Sequence, residues 1–430
     1  VKLPTLFTAD IQPWDEGMYA TRVLSIHTNG DFLDQSEHSV GKFYSGSHPP
    51  LLIWIGYFCS LAFGLNSVTL KLIPFVFSLL SILMLILIGR NLFNPISGIT
   101  AALVFSSNII FNVFSKRFQF DIPYTFFILL SFYLFLLYLD KKKIVYNVLG
   151  GIVFGLCLMI KILVGFYIPI IIFLFYILLR KKTEYRFFDL FIFTSIGVII
   201  ALPWHIYMLV YHGKEFIEYF FKFHIFDRAF VGVEHNTKGS GYLYHINYLL
   251  SIIPYSILIF ISLVKDFSKI KEIDLKKIFL IIWFLTGLVI ITIFKTKLEV
   301  YILLILAPGS LLLGDYLFRI NEVNSKEKFT VILLTTLNII WTVSFSFRND
   351  INYKSIITSN FFLTILTLLF SFAVIFFSIK FISSKISIGK LYFIFISLFF
   401  FVLNVYFLID VPNWENDFVI KDMQSYIEKS

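Results

Sequence analysis

The sequence predicts an all-α fold, a polytopic bundle of about twelve membrane-crossing helices with loops on the extracytoplasmic side. Three observations carry that prediction. Of 430 residues, 58% are hydrophobic and only 15% are charged, against roughly 25% charged in soluble domains. The apolar residues gather into blocks close to the ~20 residues that a helix needs to cross a bilayer core. Lys and Arg recur in the short breaks between alternate blocks, the pattern of a chain threaded through a membrane with its basic loops in the cytoplasm.

Taken in order, the apolar blocks predict spans near Leu70 to Ile88, Ile96 to Phe114, Ile122 to Leu139, Ile144 to Ile160, Ile162 to Leu179 and Phe187 to Leu209. The series continues near Leu243 to Val264, Ile278 to Phe294, Val300 to Phe318, Phe329 to Phe347, Phe361 to Lys380 and Leu391 to Ile409. The block from Pro50 to Phe63 follows a Pro-Pro pair and is too short for a full crossing, which predicts a juxtamembrane or re-entrant helix. Breaks at Arg90, Lys141 to Lys143, Arg180 to Lys182, Lys265 to Lys277, Arg319 to Lys328 and Lys380 to Lys390 fall on one face, the predicted cytoplasmic one. The other face receives three longer segments: Val1 to Ser47, Val210 to Tyr242, and the tail from Asp410 to Ser430. Residues 1–409 therefore read as one transmembrane domain, with 1–69 as its first extracytoplasmic loop and juxtamembrane helix. The tail reads as the start of a soluble domain. An external start without a signal peptide implies one further span ahead of Val1.

The net charge of +9 does not point to nucleic acid, because the basic residues sit in short inter-span loops rather than on an amphipathic soluble face. Cys59 and Cys157 lie far apart inside apolar segments and read as packing residues. The sequence shows no phosphate loop, no His-x-x-x-His and no Ser-His-Asp arrangement. No cofactor is named by these residues, no metal ligand set either, and a divalent metal stays open.

Chemistry-bearing residues cluster at the external ends of the spans. Asp15-Glu16 stands just after Pro13-Trp14, with Tyr19 one turn on; a carboxylate there would serve as general base toward an acceptor hydroxyl or be a solvated loop acid. His48 precedes Pro49-Pro50 and can meet a phosphate oxygen or be incidental. Lys116-Arg117-Phe118-Gln119-Phe120-Asp121 joins two spans, offering a second acid or an Arg117–Asp121 structural pair. His224 and Arg228 are one helical turn apart, as for grip on an anion. Lys295, Lys297 and Tyr301 open a later span, and Lys161 lies alone between two others; such cations neutralise a lipid phosphate or merely snorkel.

These stretches, in this order and on one face, resemble the family 39 glycosyltransferases: the protein O-mannosyltransferases and the lipid A aminoarabinose transferases. The carriers are Asp15-Glu16 with Tyr19, Gly30-Asp31-Phe32-Leu33, His48-Pro49-Pro50-Leu51, Arg117 to Asp121, Pro203-Trp204, Phe220-Phe221 to Arg228, and Lys297 to Tyr301 with Pro308. The resemblance implies a GT-C fold and transfer of a hexose or pentose from a polyprenyl-phosphate donor to a lipid, glycan or protein acceptor outside the cell (inner) membrane. It implies Asp15 as catalytic carboxylate, Glu16 and Asp121 shaping the site, and Arg228, Lys297 and Tyr301 holding the donor phosphate. Relatives that modify lipid A often carry Lys where this chain has His48. The competing class is a transporter or flippase of lipid-linked intermediates, which should place ionisable residues in mid-span.

Overall fold

The computed structural model describes residues 11–12, 14–161, 165–233, 241–268, 274–320, 325–348 and 388–409. The predicted span Phe361 to Lys380 and the tail 410–430 lie outside the described residues. Among those described, every regular element is a helix.

The first external segment, expected as a polar loop, carries α1 (Asp15–Asn29) and the single turn α2 (Phe43–Gly46), and the short helix expected after Pro49-Pro50 is α3 (Leu51–Phe63). Met18, Tyr19, Arg22, Val23 and Ile26 form the buried face of α1, at helical spacing. Asp15 and Glu16 in its first turn suit the positive end of the helix dipole. Gly30, at φ 75°, takes the left-handed conformation that ends the helix and donates to the Ile26 carbonyl.

The spans follow. Helix α4 (Ser67–Leu92) is capped by Asn66, whose side chain accepts from the Thr69 N–H. The predicted span 96–114 is broken: α5 (Pro95–Ser106) stops, and α6 (Ile109–Phe114) restarts from an Asn108 cap. Asn108 and Asn112 supply local side-chain partners that compete with a continuous backbone ladder, and Asn112 Nδ2 donates to the Ser106 carbonyl at 2.7 Å. Next come α7 (Asp121–Lys141), α8 (Ile144–Leu158), α9 (Tyr167–Leu179) and α10 (Phe187–Phe216). Helix α10 kinks at Gly213, φ 46°, and runs on into a π-helical arm, Ile217–Val231, in the segment expected as external loop.

The predicted span 243–264 is also two helices, α11 (Tyr244–Ile252) and α12 (Ile257–Ser268), bent by 115°. Pro254 stands at the bend, where it cannot donate a helical hydrogen bond. The Asn338 side chain accepts from the Ile257 N–H at 2.9 Å and so caps the second half. Helix α13 (Leu275–Ile293), a 3₁₀ turn (Glu299–Ile302), α14 (Leu303–Arg319), α15 (Ser325–Arg348) and α16 (Ile388–Ile409) complete the described bundle.

Among the described residues, five helical units are long and apolar enough to cross a membrane, or six if the bent pair is one span. Helices α3, α5, α8 and α9 are apolar but shorter; the 15 residues of α8 reach only about 22 Å at ~1.5 Å per residue. Small residues let the helices approach closely, as apolar association inside a bilayer requires. A Cβ on Gly197 of α10 would stand 2.1 Å from the Phe154 ring of α8, and one on Gly89 of α4 2.4 Å from Gly98 of α5. Cys157 is buried and Cys59 partly so, each without a disulfide partner.

Candidate active site

One end of the bundle encloses a cavity of about 680 Å³. It lies between the start of α1, the α2–α3 connection, the turn before α7, the end of α8, the π-helical arm and the turn before α14. Nine of the twelve residues singled out from the sequence line it: Asp15, Tyr19, His48, Arg117, Asp121, Lys161, His224, Arg228 and Tyr301. Glu16, Lys295 and Lys297 are not among its lining residues.

The two lining aspartates stand at helix starts, Asp15 on α1 and Asp121 on α7, where two helix dipoles favour negative charge on one cavity. Asp121 pairs with Lys161 at 3.5 Å, while the Arg117 guanidinium lies over the Phe114 ring, 5.7 Å from its centroid. The Arg117–Asp121 ion pair offered by the sequence spacing is thus replaced by one across elements. Lys161 also lies 5.8 Å from the Tyr301 ring centroid. Burial disfavours its ammonium, but Asp121 and then Tyr301 outweigh this and hold its pKa above the usual lysine value.

Glu16 is buried behind the cavity rather than in it. One oxygen accepts from the Phe118 N–H at 2.7 Å and the other from the Gln12 N–H at 2.8 Å, so the side chain ties the start of α1 to the turn carrying Arg117. Burial raises its pKa, opposed by Lys71, the two amides and Arg117. Lys297 turns away from the cavity to the carbonyls of Ile291 and Thr292 at 3.0 and 2.7 Å, satisfying the end of α13. Lys295 is exposed; its backbone N–H donates to the Ala229 carbonyl at 2.9 Å and that of Thr296 to the Arg228 carbonyl at 3.1 Å. This strand of backbone contacts holds the arm bearing Arg228 against the turn bearing Tyr301.

Several residues that position the site lie outside the twelve singled out from the sequence. Arg22 is fully buried and donates to the Ser45 carbonyl (3.1 Å), Gln35 Oε1 (2.9 Å) and the His48 carbonyl (2.9 Å). Burial lowers its pKa to about 10, which still leaves it a cation at neutral pH. Trp54 and Trp204 donate their indole N–H groups to the carbonyls of Phe32 and Leu33 at 2.7 and 2.8 Å. The Gly30-Asp31-Phe32-Leu33 stretch is therefore clamped between α3 and α10. Asp34 meets His212, at the kink of α10, at 2.5 Å. Tyr44, Gln119 and Glu299 also line the cavity. The helical spacing of apolar residues around Arg22 was a usable signal for α1, but nothing in the sequence marks Arg22's carbonyl partners.

Comparison with known proteins sets this geometry in context. Over 96% of its length the chain superposes on the crystal structure of ArnT from Cupriavidus metallidurans bound to undecaprenyl phosphate, with a TM-score of 0.74 at 16% identity, covering 75% of that chain. The fold is that of the GT-C glycosyltransferases. The chain is a multi-pass membrane protein, with shorter apolar helices beside the long spans among its described residues. Residues 47–207 match the family model described as dolichyl-phosphate-mannose-protein mannosyltransferase. An undecaprenyl phosphate-alpha-4-amino-4-deoxy-L-arabinose arabinosyl transferase of Wigglesworthia glossinidia brevipalpis is 25% identical over 282 residues, 64% of this chain and 49% of that protein. An uncharacterised protein of Aquifex aeolicus is 25% identical over 337 residues, 77% of this chain and 64% of that one. The chain thus spans roughly half to two thirds of these sequence relatives, and it resembles the aminoarabinose transferases and protein O-mannosyltransferases as a GT-C protein.

Proposed function

We propose that the chain is a membrane glycosyltransferase that moves a hexose or pentose from a polyprenyl-phosphate donor to a hydroxyl of a lipid, glycan or protein. The observation that carries this reading is the convergence of two aspartates and three cations, Arg117, Lys161 and Arg228, on one cavity at the end of a GT-C bundle. The Lys and Arg distribution supports an extracytoplasmic position for that end, at the cell membrane. Residues 1–409 act as one transmembrane catalytic domain in this reading.

Breaking the bond between sugar and phosphate leaves negative charge on the departing polyprenyl phosphate. Lys161 and Arg228, fixed before the reaction begins, stabilise that charge, with Tyr301 and Arg117 beside them. Asp15 takes the proton from the incoming hydroxyl, and Asp121, paired with Lys161, keeps that ammonium oriented. One displacement by the acceptor oxygen inverts the anomeric centre. Glu16, which joins the Gln12 and Phe118 backbones, acts by positioning the neighbouring Asp15 and Arg117 rather than on substrate.

A transporter reading draws less support, because the cavity charges sit at helix ends and in connections, not in mid-span. The test is transfer of labelled sugar from undecaprenyl-phosphate-linked donors to membrane acceptors. Asp15→Asn is expected to lower the rate by roughly a hundredfold to ten-thousandfold at equal expression. Equal transfer in both proteins would remove Asp15 as the base, and retention of anomeric configuration would remove the single displacement.

A further inference from the structure

Two histidines in the cavity wall have their tautomers set by backbone carbonyls. His48 Nδ1 lies 3.3 Å from the Ser45 carbonyl, and His224 Nε2 lies 2.8 Å from the Tyr44 carbonyl. A carbonyl only accepts, so in each neutral ring that nitrogen carries the hydrogen and the other nitrogen is an acceptor. His48 therefore offers Nε2, and His224 offers Nδ1, which is buried and finds no hydrogen-bond partner among the described residues. The rings stand together, with centroids 4.2 Å apart, and His48 stacks on Phe120 at 5.4 Å and 23°.

The surroundings keep the pair uncharged. His48 faces Arg22 and Tyr19 from α1, Phe120 from the turn before α7, His224 and Arg228 from the arm, and Lys161 from the end of α8. Burial first, then His224 and these three cations, hold its pKa well below the ordinary histidine value. An ionised phosphate ester has no proton to donate, so its oxygens and these ring nitrogens meet lone pair to lone pair. A sugar hydroxyl has a proton to give, and the flat ring faces suit its C–H surface.

Resting on the glycosyltransferase reading, we propose that His48 and His224 form the sugar subsite, accepting hydrogen bonds from hydroxyl groups of the donor's sugar while its phosphate lies against Lys161 and Arg228. Arg22 is the positioning residue of this subsite, since it grips the carbonyls of both Ser45 and His48.

The experiment uses the full chain in lipid nanodiscs and separates sugar from phosphate. Donor KM is measured with undecaprenyl-phosphate-linked mannose, glucose and 4-amino-arabinose, and Kd is measured for undecaprenyl phosphate without sugar. His48→Leu is expected to raise KM for the working donor roughly tenfold and leave the undecaprenyl phosphate Kd within about twofold. His48→Gln, which keeps an acceptor, should recover most of the loss, and His224→Leu carries the same expectation independently. The proposal falls if undecaprenyl phosphate binding weakens in step with KM, or if KM does not move in either leucine variant. Absence of transfer by the wild type from every donor would instead remove the glycosyltransferase reading itself.

Discussion

The two ends of the bundle use charge in opposite ways. At the end remote from the cavity, Lys277 of α13 contacts Asp266 of α12 at 2.8 Å and Asp315 of α14 at 2.6 Å, and Arg319 closes the square at 3.3 and 2.6 Å. Close by in sequence, Lys276 bonds Asp140 at 2.6 Å, and Asn91 donates to the same carboxylate at 2.6 Å. Lys277 and Arg319 there contact two buried carboxylates directly, which is an arrangement for holding three helices in register. At the cavity end, carboxylates and cations come from six separate elements and ring about 680 Å³ of space. Charges packed against one another stabilise; charges arranged around a volume are available to something that enters it.

The sharpest break of this contrast is Lys277→Met. It leaves Asp266 and Asp315 buried with only the half-exposed Arg319, and should cost about 3–5 kcal/mol of stability. Transfer per folded molecule should stay unchanged, as read by thermal unfolding in detergent beside a transfer assay. A variant that loses activity but not stability would show that the remote network takes part in function.

The mirror experiment is Lys161→Met at the cavity end. Transfer is expected to fall roughly tenfold to a hundredfold, by loss of charge stabilisation on the leaving phosphate, with little change in unfolding temperature. A stability loss as large as that of Lys277→Met would make Lys161 a structural cation instead.

Smaller still is the clamp on the first segment. Trp204→Phe keeps the ring but removes the bond to the Leu33 carbonyl, and should cost about 1 kcal/mol, seen as faster amide exchange in residues 30–36. Unchanged exchange would mean that Trp54 alone fixes this stretch.

The least effect comes from pH. His48 has a folded pKa well below its ordinary value through burial and its cationic neighbours, so the unfolded chain binds the proton first. Its contribution to stability is full above about pH 6.5 and is lost as pH falls toward the folded pKa. Unfolding temperatures between pH 7.5 and 5.0 should therefore drop less steeply in His48→Gln than in wild type. Parallel slopes would show that His48 already titrates normally.

Much of this protein was legible before any coordinate. Hydropathy and the placement of Lys and Arg determine a membrane bundle, because a backbone in lipid has no partner for its amides except its own helix. The clustering of Asp15, Arg117, Asp121 and Arg228 at predicted external ends was equally readable, since charge is too costly inside a span to be placed there idly. Tertiary structure decided what spacing could not. It broke the 96–114 and 243–264 blocks, because Asn108, Pro254 and Asn338 supply or remove single hydrogen bonds that a hydropathy window averages away. It paired Asp121 with Lys161 instead of Arg117, turned Lys297 onto helix-end carbonyls, and set Glu16 behind the cavity. Arg22 and the tautomers of His48 and His224 depend on carbonyls that are near only after folding. A sequence records which side chains can donate or accept, whereas the partner each one finds is a matter of distances of about 3 Å between residues far apart in the chain.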